Sequence, residues 1–181
     1  MAYLLKNLKN PGNTQSGIAD FALIALVSDF EEGGIMVPTA PFANPGDEVR
    51  ILTAHTFKAD KGFAKFQLAP EKNSLEGKTI GDLGFQKFDF ELKIFVAGSY
   101  ANVHEAMKNL INQPLIVLAK DSNCPANMHY QLGGDCVYAY LKGDFTTGTT
   151  KDGVKGYNCT VSYQGPYVQL YAAGIPTILA D

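Results

Sequence analysis

A chain of 181 residues with 46% hydrophobic, 11% aromatic and only 18% charged side chains can bury a sizeable core, which excludes intrinsic disorder and leaves room for one ordinary domain, 1–181. A formal net charge of -3 excludes the basic surface that tight DNA or RNA binding requires. Eighteen glycines and nine prolines supply many turn positions and favour a mainly β chain.

Residues 1–16 read as an N-terminal arm, set off from the body by the turn cluster Asn10-Pro11-Gly12-Asn13. Phe21–Val27 reads as a short strand or buried segment ended by Glu31-Glu32-Gly33-Gly34. It is far below the roughly 20 apolar residues of a membrane-spanning helix, and no cleavage pattern of a signal peptide follows it, so a cytoplasmic product without membrane insertion is expected. After the break at Pro38–Pro45, Val49–Phe57 alternates Val49, Ile51, Thr53, His55 and Phe57 against Arg50, Leu52, Ala54 and Thr56, which predicts a strand.

Between Lys58 and Gly84 the pattern loosens. Phe63, Phe66 and Leu68 stand among many charges, and the segment is expected to reach out as a projecting loop or hairpin. Phe88–Val96 is the clearest element: Phe88, Phe90, Leu92, Ile94 and Val96 take one face of a strand, and Asp89, Glu91, Lys93 and Phe95 the other. Asn102 and Glu105 fit a capping box, and Val103, Ala106, Met107, Leu110 and Ile111 fall on one face, so a helix is predicted over 102–112, ended by Pro114 and lying against a sheet.

Leu115–Ala119 then reads as a buried strand. Cys136–Lys142, Phe145–Thr149, Tyr157–Gln164 and Tyr167–Ala172 read as further strands, separated by turns at Gly133-Gly134, Gly143-Asp144, Asp152-Gly153 and Gly165-Pro166, and antiparallel pairing follows.

Catalytic chemistry is hard to find, and no catalytic, cofactor-binding or metal-ligating residue is assigned. Cys124, Cys136 and Cys159 are odd in number and lack metal-ligand spacing, and Cys136 and Cys159 are expected as small buried hydrophobes. Of the three histidines, His55 is expected to be packed or hydrogen-bonded in its strand, His104 solvated at a helix start, and His129 in a loop with Pro125 and Asn127. Gly77-Lys78-Thr79 ends like a phosphate-binding loop, but Lys72 stands where that motif needs its first glycine. Asp89 and Glu91 share a strand face, where solvated polar residues are commoner than an acid dyad. Tyr130, Tyr138, Tyr140, Tyr157, Tyr163, Tyr167 and Tyr171 crowd the C-terminal strands, which fits β-propensity and edge packing, and if exposed together a protein interface.

The order of elements resembles the tail tube proteins of long-tailed bacteriophages, relatives in fold of contractile injection tubes: an arm, early strands, the excursion from about Lys58 to Gly84, the Phe88 strand, one helix and closing strands. The run from Gln131-Leu132-Gly133-Gly134-Asp135 to Gly156-Tyr157 is similar in character. The resemblance implies an antiparallel β-sandwich or barrel-like subunit with one flanking helix, a virion protein assembled in the bacterial cytoplasm. Homohexameric rings would stack into a hollow tube that joins other tail proteins and passes DNA without holding it. Neighbouring sheets would join around the channel, and the arm and long loop would link rings. Phe63, Phe66 and Leu68 would then be buried against the next ring, and Asp89 and Glu91 are candidate channel-facing acids whose charge would limit adhesion to phosphates. The competing readings are a monomeric β-barrel binding a small ligand with the excursion as its lid, an enzyme assembled from distant residues such as His55 and His129, and a terminator or adaptor ring of the same kind of tail.

Overall fold

The computed structural model describes residues 17–122, 128–149, 153–176 and 178–179. The arm 1–16, Cys124, Pro125, Asn127 and Asp152 lie outside them. The first described strand, β1 (Ile18–Leu26), confirms the early apolar run and extends it at its N-terminal end. The remaining strands are β2 (Arg50–Ile51), β3 (Ala64–Gln67), β4 (Ser74–Ile80), β5 (Lys87–Ala97), β6 (Leu115–Asp121), β7 (His129–Leu132), β8 (Tyr140–Thr146), β9 (Gly156–Gly165) and β10 (Gln169–Tyr171). The single described α-helix, α1, spans Ala101–Leu110.

The strands form two sheets, one of six in the order β2-β10-β7-β6-β1-β3 and one of four in the order β4-β5-β9-β8. All ladders are antiparallel except the short β2–β10 pair. The sheets pack face to face. Ala22 and Ile24 of β1 and Val117 and Ala119 of β6 meet Leu92 and Ile94 of β5 and Val161 of β9, and Met107 and Leu110 of α1 join the same core. The fold is therefore a mainly β sandwich with one flanking helix.

A second apolar cluster lies on the other face of the six-stranded sheet, where Leu23, Ile116 and Leu118 are covered by Phe30, Ile51 and Phe63 from the segment between β1 and β3. Because β6 is buried on both faces, its sequence is a continuous apolar run rather than an alternation. The four-stranded sheet has no such second apolar cluster among the described residues, and the outward face of β5 is polar at Asp89, Glu91 and Lys93, while Phe95 at its far end is buried with Lys72 over its ring. That asymmetry positions everything that follows.

Several sequence expectations are corrected. Only Arg50–Ile51 of the Val49–Phe57 run is a strand: Thr56 N–H donates instead to Gly34 O at 3.0 Å, and Ile51 O accepts from Ala172 and Ala173 at 2.9 and 3.1 Å. The excursion from Lys58 to Gly84 is not a loop, because it contributes β3 to one sheet and β4 to the other. The helix starts earlier than the capping box implied: Tyr100 is the N-cap without a side-chain cap, and Asn102 Oδ1 instead accepts from its neighbour Val103 N–H at 2.9 Å. It also ends at Leu110, with Asn112 in a positive-φ turn.

Gly143-Asp144 is not a turn but lies inside β8, with Gly143 opposite Cys159 of β9. Gly77 likewise lies within β4, where a side chain would meet the Phe90 ring at 2.7 Å, so Gly77-Lys78-Thr79 is extended strand rather than a phosphate cradle. Cys159 is buried as expected, but Cys136 is exposed.

Candidate functional site

The histidines are bound into the scaffold. His55 is buried and stacked on Tyr171 with ring centroids 4.8 Å apart. Met36 N–H donates to His55 Nδ1 at 2.9 Å, which puts the ring proton on Nε2, and that nitrogen donates to Gln131 Oε1 at 2.9 Å. Gln131 Nε2 in turn donates to Gly133 O at 3.1 Å and to Gln169 Oε1 at 3.3 Å. Burial pushes the His55 imidazole down to about 4, so it is neutral at ordinary pH with both nitrogens committed. It is a structural strut that ties the covering segment to β7 and β10.

His129 does not sit in a loop but in β7, buried, with its pKa lowered by burial and by Lys120; its Nδ1 makes no hydrogen bond among the described residues. His104 is not simply solvated. Its Nδ1 pairs with Tyr157 OH at 2.7 Å and its Nε2 with Ser99 Oγ at 3.2 Å, with Phe145 edge-on at 5.1 Å. Among the described residues no group of three or more His, Cys, Asp or Glu side chains could hold a metal ion.

The tyrosines do not converge either. Tyr163 and Tyr171 are buried, Tyr140 is exposed, Tyr130 OH donates to Asp121 at 2.5 Å, and Tyr157 belongs to the His104 cluster.

Phe63 is fully buried among Phe30, Phe57 and His55. Leu68 is 5% exposed inside the core between the sheets, and Phe66 packs partly buried against that core. For Phe63 and Leu68 the expectation of burial against another ring is therefore corrected, because the subunit covers them itself, while Phe66 is only partly buried and also lines a surface groove.

What projects is narrower. The β4–β5 hairpin closes through residues 81–86, where Phe85 N–H donates to Asp82 O at 2.9 Å and Gly81 and Gly84 take positive φ values of 100° and 92°. At this tip Leu83 is 92% and Phe85 87% exposed, with Phe88 beside them at 37%. Lone exposed apolar residues are common, but Leu83 and Phe85 stand two residues apart on one turn and require an explanation.

Asp89 and Glu91 lie as expected on the face of β5 turned away from the core, both half-buried. Lys78 stands opposite Asp89, and Lys93 lies 4.0 Å from Glu91 and 3.4 Å from Glu76. With Lys87, Lys142 and Asp144 added, the outward charges are Glu76, Asp89, Glu91 and Asp144 against Lys78, Lys87, Lys93 and Lys142, a balanced face rather than an acidic one. Surface pairs of this kind add little stability.

Among the described residues both edges of this sheet are open. Among the described residues β4 pairs only with β5 and β8 only with β9, and each edge strand has seven residues. Since all three ladders are antiparallel, β4 and β8 run in opposite directions. Free edges of this length are templates for strand pairing.

Two grooves adjoin these surfaces. One, of about 460 Å³, lies between β3, the end of β5 and α1, lined by Phe66, Val96, Val103 and Ala106 with Lys65, Gln67 and Asn102 at its polar positions. The other, of about 400 Å³, runs along β8 beside Ile111 and Asn112. Among the described residues no helix is long and apolar enough to cross a membrane. No family model matches the chain, and no curated protein and no solved structure matches it.

Proposed function

We propose that the chain is a non-enzymatic structural subunit that joins copies of itself into rings, and that the rings stack into a hollow tube for DNA, as the tail tube of a long-tailed phage does. The observation that carries this reading is the four-stranded sheet, with two open edges of opposite direction and an uncovered polar face, beside a six-stranded sheet covered on both sides.

A cyclic rotation about an axis from which the strands tilt by ~40° brings β8 of one copy beside β4 of the next. Because β4 and β8 are antiparallel within a copy, that contact is antiparallel too and continues the alternation of the sheet. Closure of such a ring removes both edges of the four-stranded sheet. The apolar face stays inside each subunit and the polar face, with Asp89 and Glu91, turns to the channel.

Six copies, the number the resemblance implies, would contribute about 24 strands, beyond the roughly 16–18 at which barrels already enclose water. The backbone diameter is about 48 Å for strands ~4.8 Å apart tilted by ~40°. A wall of alternating acids and lysines offers phosphates no continuous cationic track, so DNA passes without being held. Rings and other tail proteins would be the partners, with the hairpin tip rather than Phe63, Phe66 and Leu68 supplying the contact between rings.

Electron microscopy of the purified chain tests this. Hollow particles or tubes of uniform diameter are expected. Rings that never stack would point to a terminator or adaptor, and a stable monomer at high concentration would overturn the reading.

A further inference from the structure

The segment that covers the outer face of the six-stranded sheet is closed on itself at its base. Phe30 and Phe57 form an antiparallel bridge, Glu31 N–H donates to Thr56 O at 3.1 Å, Lys58 N–H donates to Asp29 O at 2.9 Å, and Lys61 lies 3.0 Å from Asp29. Among the described residues its far part is bonded to the sheet at two joints. One is the short β2–β10 pair, where Ile51 O accepts from Ala172 and Ala173. The other is His55, whose Nδ1 accepts from Met36 N–H while its Nε2 donates to Gln131, and Gln131 Nε2 returns a bond to Met36 O at 3.3 Å. We infer that His55 is an acid-released latch: a second ring proton lets residues 30–57 lift from the sheet as a unit while the sandwich stays folded. The latch belongs to the single subunit and does not depend on ring assembly.

The neutral ring carries one proton, and both of its nitrogens are committed. A proton added to Nδ1 would point at the Met36 N–H from 2.9 Å, donor against donor, so that bond cannot survive protonation. The cation would also be buried among groups that are neutral at ordinary pH: the Tyr171 phenol from β10, the Gln131 amide from β7, and Phe30, Phe63 and the Met36 amide from the segment itself. His129, opposite Tyr171 on β7, supplies no counter-charge, since its own pKa is lowered by burial and by Lys120. The segment's charges lie elsewhere: Asp29 pairs with Lys61, Asp47 lies 3.7 Å from Arg50, and Glu31, Glu32, Glu48, Lys58 and Asp60 are exposed. Release uncovers the apolar face of Leu23, Ile116 and Leu118. With a pKa of about 4 when latched and 6.5 when free, the latch is complete above about pH 6.5 and lost as pH falls towards 4, and the opening equilibrium constant rises about a hundredfold between pH 7 and pH 4.

The test is hydrogen exchange on the dilute full chain from pH 7 to pH 4, each rate normalised to its intrinsic value. Protection of the Met36, Ala172 and Ala173 amides should fall by about tenfold per pH unit from about pH 6.5 downwards, the slope of a single proton. His55→Gln, which cannot take that proton, should abolish the fall. At pH 4 these amides should be at least about tenfold less protected than those of β5 and β9, and less sensitive to low urea, because the sandwich stays closed when they open. One protection level and one urea dependence across all these amides would make the opening global and overturn the separate unit. A fall that begins only below about pH 5 belongs to carboxylates rather than to His55 and overturns the latch, and so does a fall that survives in His55→Gln. The pH profile of the unaltered chain decides alone if that variant does not fold.

Discussion

Phe63→Ala separates a residue of the subunit's own interior from a residue held in reserve for a neighbour. Phe63 has no exposed surface, and its ring meets Phe57 at 5.1 Å and 80°, Phe30 at 6.1 Å and 77°, and His55 at 6.0 Å. Truncating a fully buried phenylalanine removes its transfer free energy and leaves a cavity, together about 3–5 kcal/mol, and edge-to-face ring pairs account for roughly 0.5–1.5 kcal/mol each of such losses. In a domain of this size each kcal/mol moves the thermal midpoint by about 2–4 °C, so a fall of roughly 10 °C is expected. Thermal unfolding of the dilute chain, below any assembly, measures it. If Phe63→Ala left the melting temperature unchanged but blocked self-association, Phe63 would face a neighbouring copy and the burial argument would be refuted.

The pH dependence of stability should follow His55. Its folded pKa of about 4 lies below the unfolded value of 6.5, so the unfolded chain binds the proton first. The stabilisation is complete above about pH 6.5 and is lost as pH falls towards 4, by about 3 kcal/mol at most. Urea titrations should show the dilute chain weakening across that window and His55→Gln weakening less steeply; parallel slopes would contradict the assignment. Alkylation at pH 8 followed by mass mapping should modify Cys136 and spare Cys159, which is buried with its thiol pushed up to about 12; native-state labelling of Cys159 would contradict its burial. At the ring contact, antiparallel registers that place Glu76 opposite Asp144 and Lys78 opposite Lys142 are repelled, while the adjacent registers pair Glu76 with Lys142 or Lys78 with Asp144. Glu76→Lys should impair rings and Lys142→Glu restore them, or the same rescue should hold for Lys78→Glu with Asp144→Lys. Rescue by neither pair would exclude β4–β8 pairing.

The sandwich was legible where one physical pressure acts alone. Phe88–Val96 alternates because β5 has the core on one side and water on the other, and Leu115–Ala119 is uniformly apolar because β6 has packing on both. The excursion misled because Phe63, Phe66 and Leu68 are flanked by charges: the short strand β3 alternates intermediate and exposed positions, so local composition looks like a loop although Phe63 ends in a core. β7 was missed because the face it turns to the covering segment carries His129 and Gln131, polar side chains that are nonetheless buried; Gln131 is satisfied there by bonds to His55 and Gln169 that only the fold brings near. Val49–Phe57 has a strand's alternation, but its backbone partners are Gly34 and Ala172, set by tertiary structure.

The candidate surfaces were legible only in outline. Asp89 and Glu91 were placed on the correct face by period alone, yet the lysines that neutralise it come from β4 and β8 as well as β5. The hairpin tip had a signal that went unused: Leu83 and Phe85 stand within Gly81-Asp82-Leu83-Gly84-Phe85, large apolar residues inside a glycine-marked turn, where neither can reach a core. Open edges leave no trace in the sequence of β4 or β8, since edge status is a property of sheet order.

Hydrogen exchange on the dilute and the concentrated chain tests most directly whether the four-stranded sheet is completed by copies of itself. The account predicts that the outward-facing amides of β4 and β8 exchange readily in the dilute subunit and become protected together, over the same concentration range, as particles form. Protection of both edges already present in the isolated subunit, or particles forming while either edge stays unprotected, would contradict it.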